Sequence, residues 1–266
     1  MTKPSALSLA LAGVFLMAVT SLPRASSRGL PRASSKDRYD GAVTAQPAER
    51  PRLSVKPTAD FEVTGKGDAA AWQQTEWTVL RRRQADGHPY ESRFKVLYST
   101  TGLYFLLDGA DRTLTATMTE DFMDLWNEDV FEVFLWTDER HPLYFEYQIS
   151  PLGRELAIMV PNFGGQFLGW RPWHYERDRL TRKSTSTTGG PKTSHAAIEG
   201  WRAEVFVPYT LLKPLQNVPP KPGSVWRANI YRMDYDGGKR TQWEWAPVGD
   251  SFHEYQKFGE LLFADR

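Results

Sequence analysis

Trp126-Asn127-Glu128-Asp129-Val130-Phe131-Glu132-Val133-Phe134-Leu135-Trp136, followed shortly by Tyr144-Phe145-Glu146-Tyr147-Gln148-Ile149-Ser150, alternates acidic and amide side chains with large aromatics. That alternation, with no helical spacing, reads as two adjacent β-strands. A core strand avoids carboxylates, because an ionised carboxylate must be paired or solvated when buried. A surface strand has little use for so many rings. A strand pair carrying both reads as the floor of a polar, aromatic-walled site. Period-two parity then sorts the side chains by face. Tyr144, Glu146, Gln148 and Ser150 share one face, while Phe145, Tyr147 and Ile149 share the other, which is core. On the first strand Asp129, Phe131, Val133 and Leu135 oppose Val130, Glu132, Phe134 and Trp136. Whether Glu132 or Asp129 joins the row of Glu146 and Gln148 depends on register.

Outward from this pair the chain keeps to short strands. Glu76–Leu80, Arg93–Ser99, Leu103–Asp108, Glu155–Val160, Trp201–Val207, Val225–Tyr235 and Glu260–Phe263 complete the set. Thr100-Thr101-Gly102 and Ser150-Pro151-Leu152-Gly153 supply turns, and Tyr209–Leu212, after Pro208, one helical turn. No segment sustains helical periodicity over three turns. The fold class is therefore all-β: an antiparallel β-sandwich, jelly-roll or immunoglobulin-like, with one short helical turn and long loops. Two stretches read as long loops, the aromatic-rich Pro161–His174 as a wall around a site and Thr181–Ser194 as a mobile surface loop.

The 266-residue chain is 41% hydrophobic and 24% charged, with a net charge of +1. Such a balance leaves no basic footprint for nucleic acid, and Arg81-Arg82-Arg83 reads as a solvated strand end. Lys3 followed by the apolar run Ala6–Val19 predicts a signal peptide over residues 1–25, hence export to the periplasm or beyond. No stable membrane insertion is expected after cleavage. Leu22-Pro23-Arg24-Ala25-Ser26-Ser27 recurs as Leu30-Pro31-Arg32-Ala33-Ser34-Ser35, so residues 26–56 read as a disordered linker. Residues 57–266 form the single β-domain. With no cysteine, disulfides, thiolate metal sites and lipid attachment are excluded.

Carbohydrate recognition needs two things. The C–H face of a pyranose packs on an aromatic ring, and its hydroxyls need fixed donors and acceptors. Ten tryptophans are available; Trp126, Trp170, Trp173, Trp243 and Trp245 stand next to polar or turn residues, whereas Trp72, Trp77, Trp201 and Trp226 read as packing.

The segment Trp126–Leu135 resembles the W-x-x-D-x-x-E-[IV]-F signature of family 9 carbohydrate-binding modules and their relatives. Gly200-Trp201-Arg202-Ala203-Glu204-Val205-Phe206-Val207-Pro208-Tyr209 is similar to that family's G-W-x-x-E-[IV]-x-[IV]-P-[FY], and Val225–Arg232 to its W-R-x-N-x-x-R strand. Phe252–Gly259 resembles its C-terminal H-x-P-x-x-F-G, with Tyr255 where proline is usual. The resemblance implies a sandwich that clasps a terminal sugar between two aromatics. Trp126 becomes one wall and Trp243 or Trp245 the other, with hydrogen bonds from Asp129, Glu132, Glu146, Gln148 and Arg232. The strand holding Glu146 and Gln148 departs from the arginine- or asparagine-bearing versions. The family also implies a structural calcium, for which Asp121–Asp129 offers oxygen ligands; no other cofactor is expected. Oligomeric state is left open.

Two alternatives use the same residues. A glycoside hydrolase or accessory subunit would draw a carboxylate pair from Glu128, Asp129, Glu132 and Glu146. A haem-binding electron-transfer domain of the related DOMON type would need Met159, Met233 or His253 as axial ligands. There is no G-x-S-x-G elbow and no zinc spacing among the five histidines.

Overall fold

The structure, a computed structural model, describes residues 50–265. The signal peptide expected at 1–25, and the linker up to residue 49, lie outside them. In chain order the strands are β1 (Arg52–Pro57), β2 (Thr78–Val79), β3 (Arg81–Arg82), β4 (Ser92–Tyr98) and β5 (Gly102–Ala110). There follow β6 (Val130–Trp136), β7 (Leu143–Ile149), β8 (Glu155–Phe163), β9 (Gln166–Phe167) and β10 (Arg171–Pro172). The last are β11 (Arg182–Thr188), β12 (Gly200–Pro208), β13 (Val225–Asp234), β14 (Thr241–Glu244) and β15 (Gly259–Phe263). The order β10-β8-β7-β6-β13-β15-β1-β4-β5-β12-β11 runs through both layers of a sandwich, and β1 passes between them. Arg52–Val55 pair with Glu260–Phe263 in the first sheet, and Lys56 and Pro57 with Leu97 and Tyr98 in the second.

The core forms where the inward residues of both sheets meet. Phe131, Val133, Leu135, Phe145, Tyr147 and Ile149 of the first sheet join Phe94, Val96, Phe105, Trp201 and Val205 of the second in one cluster. The rings of Phe131 and Trp201 lie 4.7 Å apart across the layers. The outward face of the first sheet is also apolar in part. Val130, Phe134, Trp136 and Tyr144 are covered there by Tyr255 and Phe258 of the C-terminal segment. On the outer face of the second sheet, the buried Glu204 carboxylate accepts the N–H groups of Thr64 and Gly65 at 2.8 Å and the indole N–H of Trp72 at 2.7 Å. The acid of the Gly200–Tyr209 motif thus anchors a loop.

Four expectations are corrected. Residues 52–57 form β1, so the domain begins inside the segment read as linker; register against β15 and β4, invisible in a short polar strand, decides it. That strand is parallel to both neighbours, so the sandwich is not purely antiparallel. The loop expected at Thr181–Ser194 contains β11, whose Ser/Thr-rich sequence suits an exposed edge strand on β12. Residues 209–212 close as turns, with Leu211 and Leu212 donating to Pro208 and Tyr209, while short 3-10 helices occur elsewhere, Leu125–Asn127 among them.

Truncating Phe131 to alanine leaves a void between the layers. We expect Phe131→Ala to cost about 3–5 kcal/mol of unfolding free energy, measured by urea denaturation. A loss below about 1 kcal/mol would show that the inter-sheet contact is not what holds the layers together.

Candidate functional site

Register settles the question left open by parity. Glu132 of β6 lies opposite Gln148 of β7, and Phe134 opposite Glu146. Glu132, Glu146 and Gln148 therefore stand together on the outward face of the first sheet. There they form the floor of a cleft of about 400 Å³ bordered by Trp126, Phe167, Trp170, Met233, Phe252 and His253. Gln242 of β14, Arg240 and Asp250 also reach it.

The walls come from three places. The 3-10 turn Leu125–Asn127 enters β6 and presents Trp126, whose carbonyl accepts the Tyr235 hydroxyl at 2.6 Å. Trp170 meets Trp126 edge to face at 5.7 Å. Phe167, on the β8–β9 hairpin, stacks on His253 at 4.1 Å, and Phe252 stacks on Tyr231 at 3.9 Å. Each wall ring is thus backed by a second ring, which holds it in place with little rotamer freedom left to lose.

The floor is polar and under-satisfied. Glu146 and Gln148 are 2% and 1% exposed. Gln148 Nε2 donates to Glu146 Oε1 at 2.6 Å, which leaves Glu146 Oε2 and Gln148 Oε1 with no partner among the described residues. A buried polar atom without a partner carries a desolvation cost. Burial pushes the Glu146 carboxyl up to about 8, and burial together with repulsion from Glu146 holds Glu132 far above the usual carboxylate range. Burial also pushes His253 down to about 4, so it is neutral at pH 7; its Nδ1 hydrogen-bonds the Tyr144 hydroxyl.

Of the residues expected from sequence, the structure brings Trp126, Glu132, Glu146 and Gln148 together in the cleft. The other four lie elsewhere. Arg232 pairs with Phe131 in the β6–β13 register and so points between the sheets, 0% exposed. Its Nη1 donates to Ser92 Oγ and the Ala110 carbonyl, and its Nη2 to Asp111 and Asp234. Trp243 lies opposite Arg232 on β14, shares that inward face and donates to the Tyr90 carbonyl. Trp245 packs against Phe94 of the second sheet. Asp129 is fully buried, accepting N–H groups from Thr115 and Tyr235. The second wall belongs instead to Trp170, Phe167 and Phe252. The first two sit in the aromatic loop read from sequence as a wall. Phe252 and His253 gave no signal beyond the C-terminal motif. Of the haem candidates, Met159 is in the core while Met233 and His253 border the cleft.

The acidic stretch Asp121–Asp129 does not converge on one point. Asp121 accepts the Glu155 N–H and pairs with Lys183, while Glu128 accepts the N–H groups of Thr117 and Met118. Asp129 alone joins a cluster, with Asp111 and Asp234, in which carboxylate oxygens lie within 4.8 Å of one another. One guanidinium cannot balance three carboxylates. Burial and that mutual repulsion push Asp129 up to about 9 and Asp111 up to about 7. Buried carboxyl groups whose mutual repulsion a cation would relieve, one of them already oriented by backbone N–H groups, fit a hard divalent cation.

Known proteins place the fold. Residues 63–153 match the family model described as carbohydrate family 9 binding domain-like. A candidate carbohydrate-binding protein from Bacteroides uniformis ATCC 8492 superposes with a TM-score of 0.65 at 16% identity, covering 80% of this chain and 99% of its own. A family 9 carbohydrate-binding module from Caldicellulosiruptor kristjanssonii in complex with cellotriose does so with a TM-score of 0.58 at 15% identity, over 81% and 95%. The same organism's module in complex with glucose gives 0.56 at 16%, over 81% and 97%. No curated protein matches the chain. Residues 63–153 are thus similar in sequence to family 9 carbohydrate-binding modules, and the domain shares the fold of such modules.

The floor acids make stability depend on pH. Glu146 titrates ordinarily near 4.5 and in the fold at about 8. Between those values the folded state keeps a proton that the unfolded chain releases, so stability falls as pH rises through that window. Glu146→Gln should flatten part of that decline, read as urea-unfolding free energy at pH 5, 6, 7 and 8. An unchanged slope in the variant would contradict a buried Glu146 whose carboxyl is held protonated.

Proposed function

We propose that this is an exported carbohydrate-binding protein serving polysaccharide breakdown, and that it holds a sugar or glycan end in the cleft by aromatic stacking and hydrogen bonds. One observation carries the reading: two unpartnered polar atoms, Glu146 Oε2 and Gln148 Oε1, sit at the bottom of a cleft walled by rings. Hydroxyl groups would satisfy those acceptors while the C–H face of the ring packs on Trp126 or Phe252. The likeness to modules in complex with cellotriose and glucose supports it. Export follows from the signal pattern of residues 1–25, and N-terminal sequencing of the secreted protein tests it.

The arrangement favours binding over hydrolysis. A glycosidase places its two carboxyl groups on either side of the scissile bond. Glu132 and Glu146 instead stand side by side on adjacent strands of one sheet face, so they read one side of a ligand.

Trp126 is half-buried at the cleft edge and holds no core contact between the sheets. Trp126→Ala should weaken cellotriose binding about tenfold in titration calorimetry, with folding intact by circular dichroism. A glycan panel without a single hit, or wild-type affinity in the variant, would overturn the reading.

Calcium, implied by the family, would be held by Asp111, Asp129 and Asp234, where it would supply charge compensation and no reaction chemistry. Because Asp129 also accepts the Tyr235 N–H, and Tyr235 holds the Trp126 carbonyl, the cation would brace the cleft from behind. Removing it with a chelator should lower the melting temperature by several degrees, about what 1 kcal/mol does in a domain of this size. Asp129→Asn should abolish that sensitivity, and an identical melt with and without chelator would rule the cation out.

A further inference from the structure

Elsewhere in the domain, buried carboxylates are supplied with a cation or N–H donors. Glu244 is held by Arg81 and Arg83, Glu155 by Lys183, Asp234 by Arg232, and Asp129 by two backbone N–H groups. The floor of the cleft differs. Among the described residues Glu132 makes no hydrogen bond, and the single side-chain bond made by Glu146 comes from the neutral amide of Gln148. Glu132, Glu146 Oε2 and Gln148 Oε1 thus face one space, and among the described residues that line it Arg240 is the one lysine or arginine.

The other charged groups at the cleft leave that need unmet. Arg240 is exposed at the rim, where it is engaged by the Tyr235 hydroxyl, and Asp250, also exposed, offsets it. His253 is neutral at pH 7. Tyr144 and Tyr231 flank the acids as neutral phenols, held well above their ordinary range by burial.

A group that suits this floor must donate several hydrogen bonds in a fan and carry positive charge. A hydroxyl donates one. A protonated primary amine donates three and is itself cationic, and charge-assisted bonds are about twice as strong as neutral ones. The rings of Trp126, Trp170 and Phe252 add attraction between a cation and aromatic faces. Resting on the carbohydrate reading above, we infer that the cleft selects a sugar bearing a protonated amino group, such as a 2-amino-2-deoxyhexose at a chain end, over the same sugar with a hydroxyl or an acetamide there. The acetamide donates a single hydrogen bond and turns a carbonyl and a methyl group toward acceptors that need donors.

Binding the ammonium makes the floor acids ionise. At pH 7 the empty floor holds protons that the unperturbed acids would have lost, so entry of the cation drives a proton from the Glu132–Glu146 pair into solvent.

Three trisaccharides with the same β-1,4 backbone isolate the point, because they differ only at C2: the glucosamine trimer, the N-acetylglucosamine trimer and cellotriose. Titration calorimetry of the wild-type chain at pH 7, in two buffers of different ionisation enthalpy, should show the glucosamine trimer binding about tenfold or more tightly than cellotriose. Its enthalpy should shift between buffers in the sense of proton release. Glu146→Gln should cut that preference by about tenfold. Equal or tighter binding of cellotriose or of the acetylated trimer overturns this selectivity and leaves the carbohydrate reading standing. Binding of none of the three overturns both.

Discussion

The guanidinium of Arg232 pins the two sheets together. It sits between layers, where a buried charge must be paired and hydrogen-bonded; both terminal nitrogens are met, while Nε has no partner among the described residues. Ser92 and the Ala110 carbonyl come from the second sheet, Asp234 from its own strand, and Asp111 from just beyond β5. The rings of Phe131 and Trp243 lie within 5.7 Å and 5.0 Å of it. Its presence restricts position 109 on the facing strand, where a Cβ would come 2.4 Å from Nη1 and displace the guanidinium. Above all it sets parity. With Arg232 turned inward, Tyr231 and Met233 turn outward on β13, and register carries that assignment to Glu132 and then to Gln148. The cleft floor lies where it does because a charged side chain one position away is committed to the interior.

That commitment also explains the surplus charge nearby. Three aspartates approach one arginine, and the one left over, Asp129, takes two backbone N–H groups. Through Tyr235 the same aspartate reaches Trp126. Interior electrostatics and the position of a wall ring are therefore linked by two hydrogen bonds, although the aspartate and the cleft occupy opposite faces of the sheet.

The sandwich was legible because both faces of its central strands carry a period-two signal strong enough to survive without register. The polar row of Glu146 and Gln148, the wall role of Trp126 and the aromatic loop 161–174 were legible for the same reason. Glu132 was not, since its face is decided against a partner strand. Arg232, Trp243 and Trp245 were misplaced because a polar or aromatic residue in an alternating strand looks the same whether it faces ligand or the opposite sheet. Only the Phe131–Arg232–Trp243 register distinguishes the two. The strands β1 and β11 escaped notice as polar segments whose pairing lies far away in sequence, with β1 finding one partner about two hundred residues downstream.

Strand β1 has a further consequence. It gives its first residues to β15 and its last to β4, parallel to each. One short segment thereby closes the rim of both layers. Were it peeled away, two strands would expose unpaired N–H and C=O groups at the same moment, one in each sheet, and each would be a template for another chain. Two paired sheets opened along a common seam form a wider adhesive edge than either does alone. The six residues Arg52–Pro57 thus guard the domain against self-association as well as completing its hydrogen bonds.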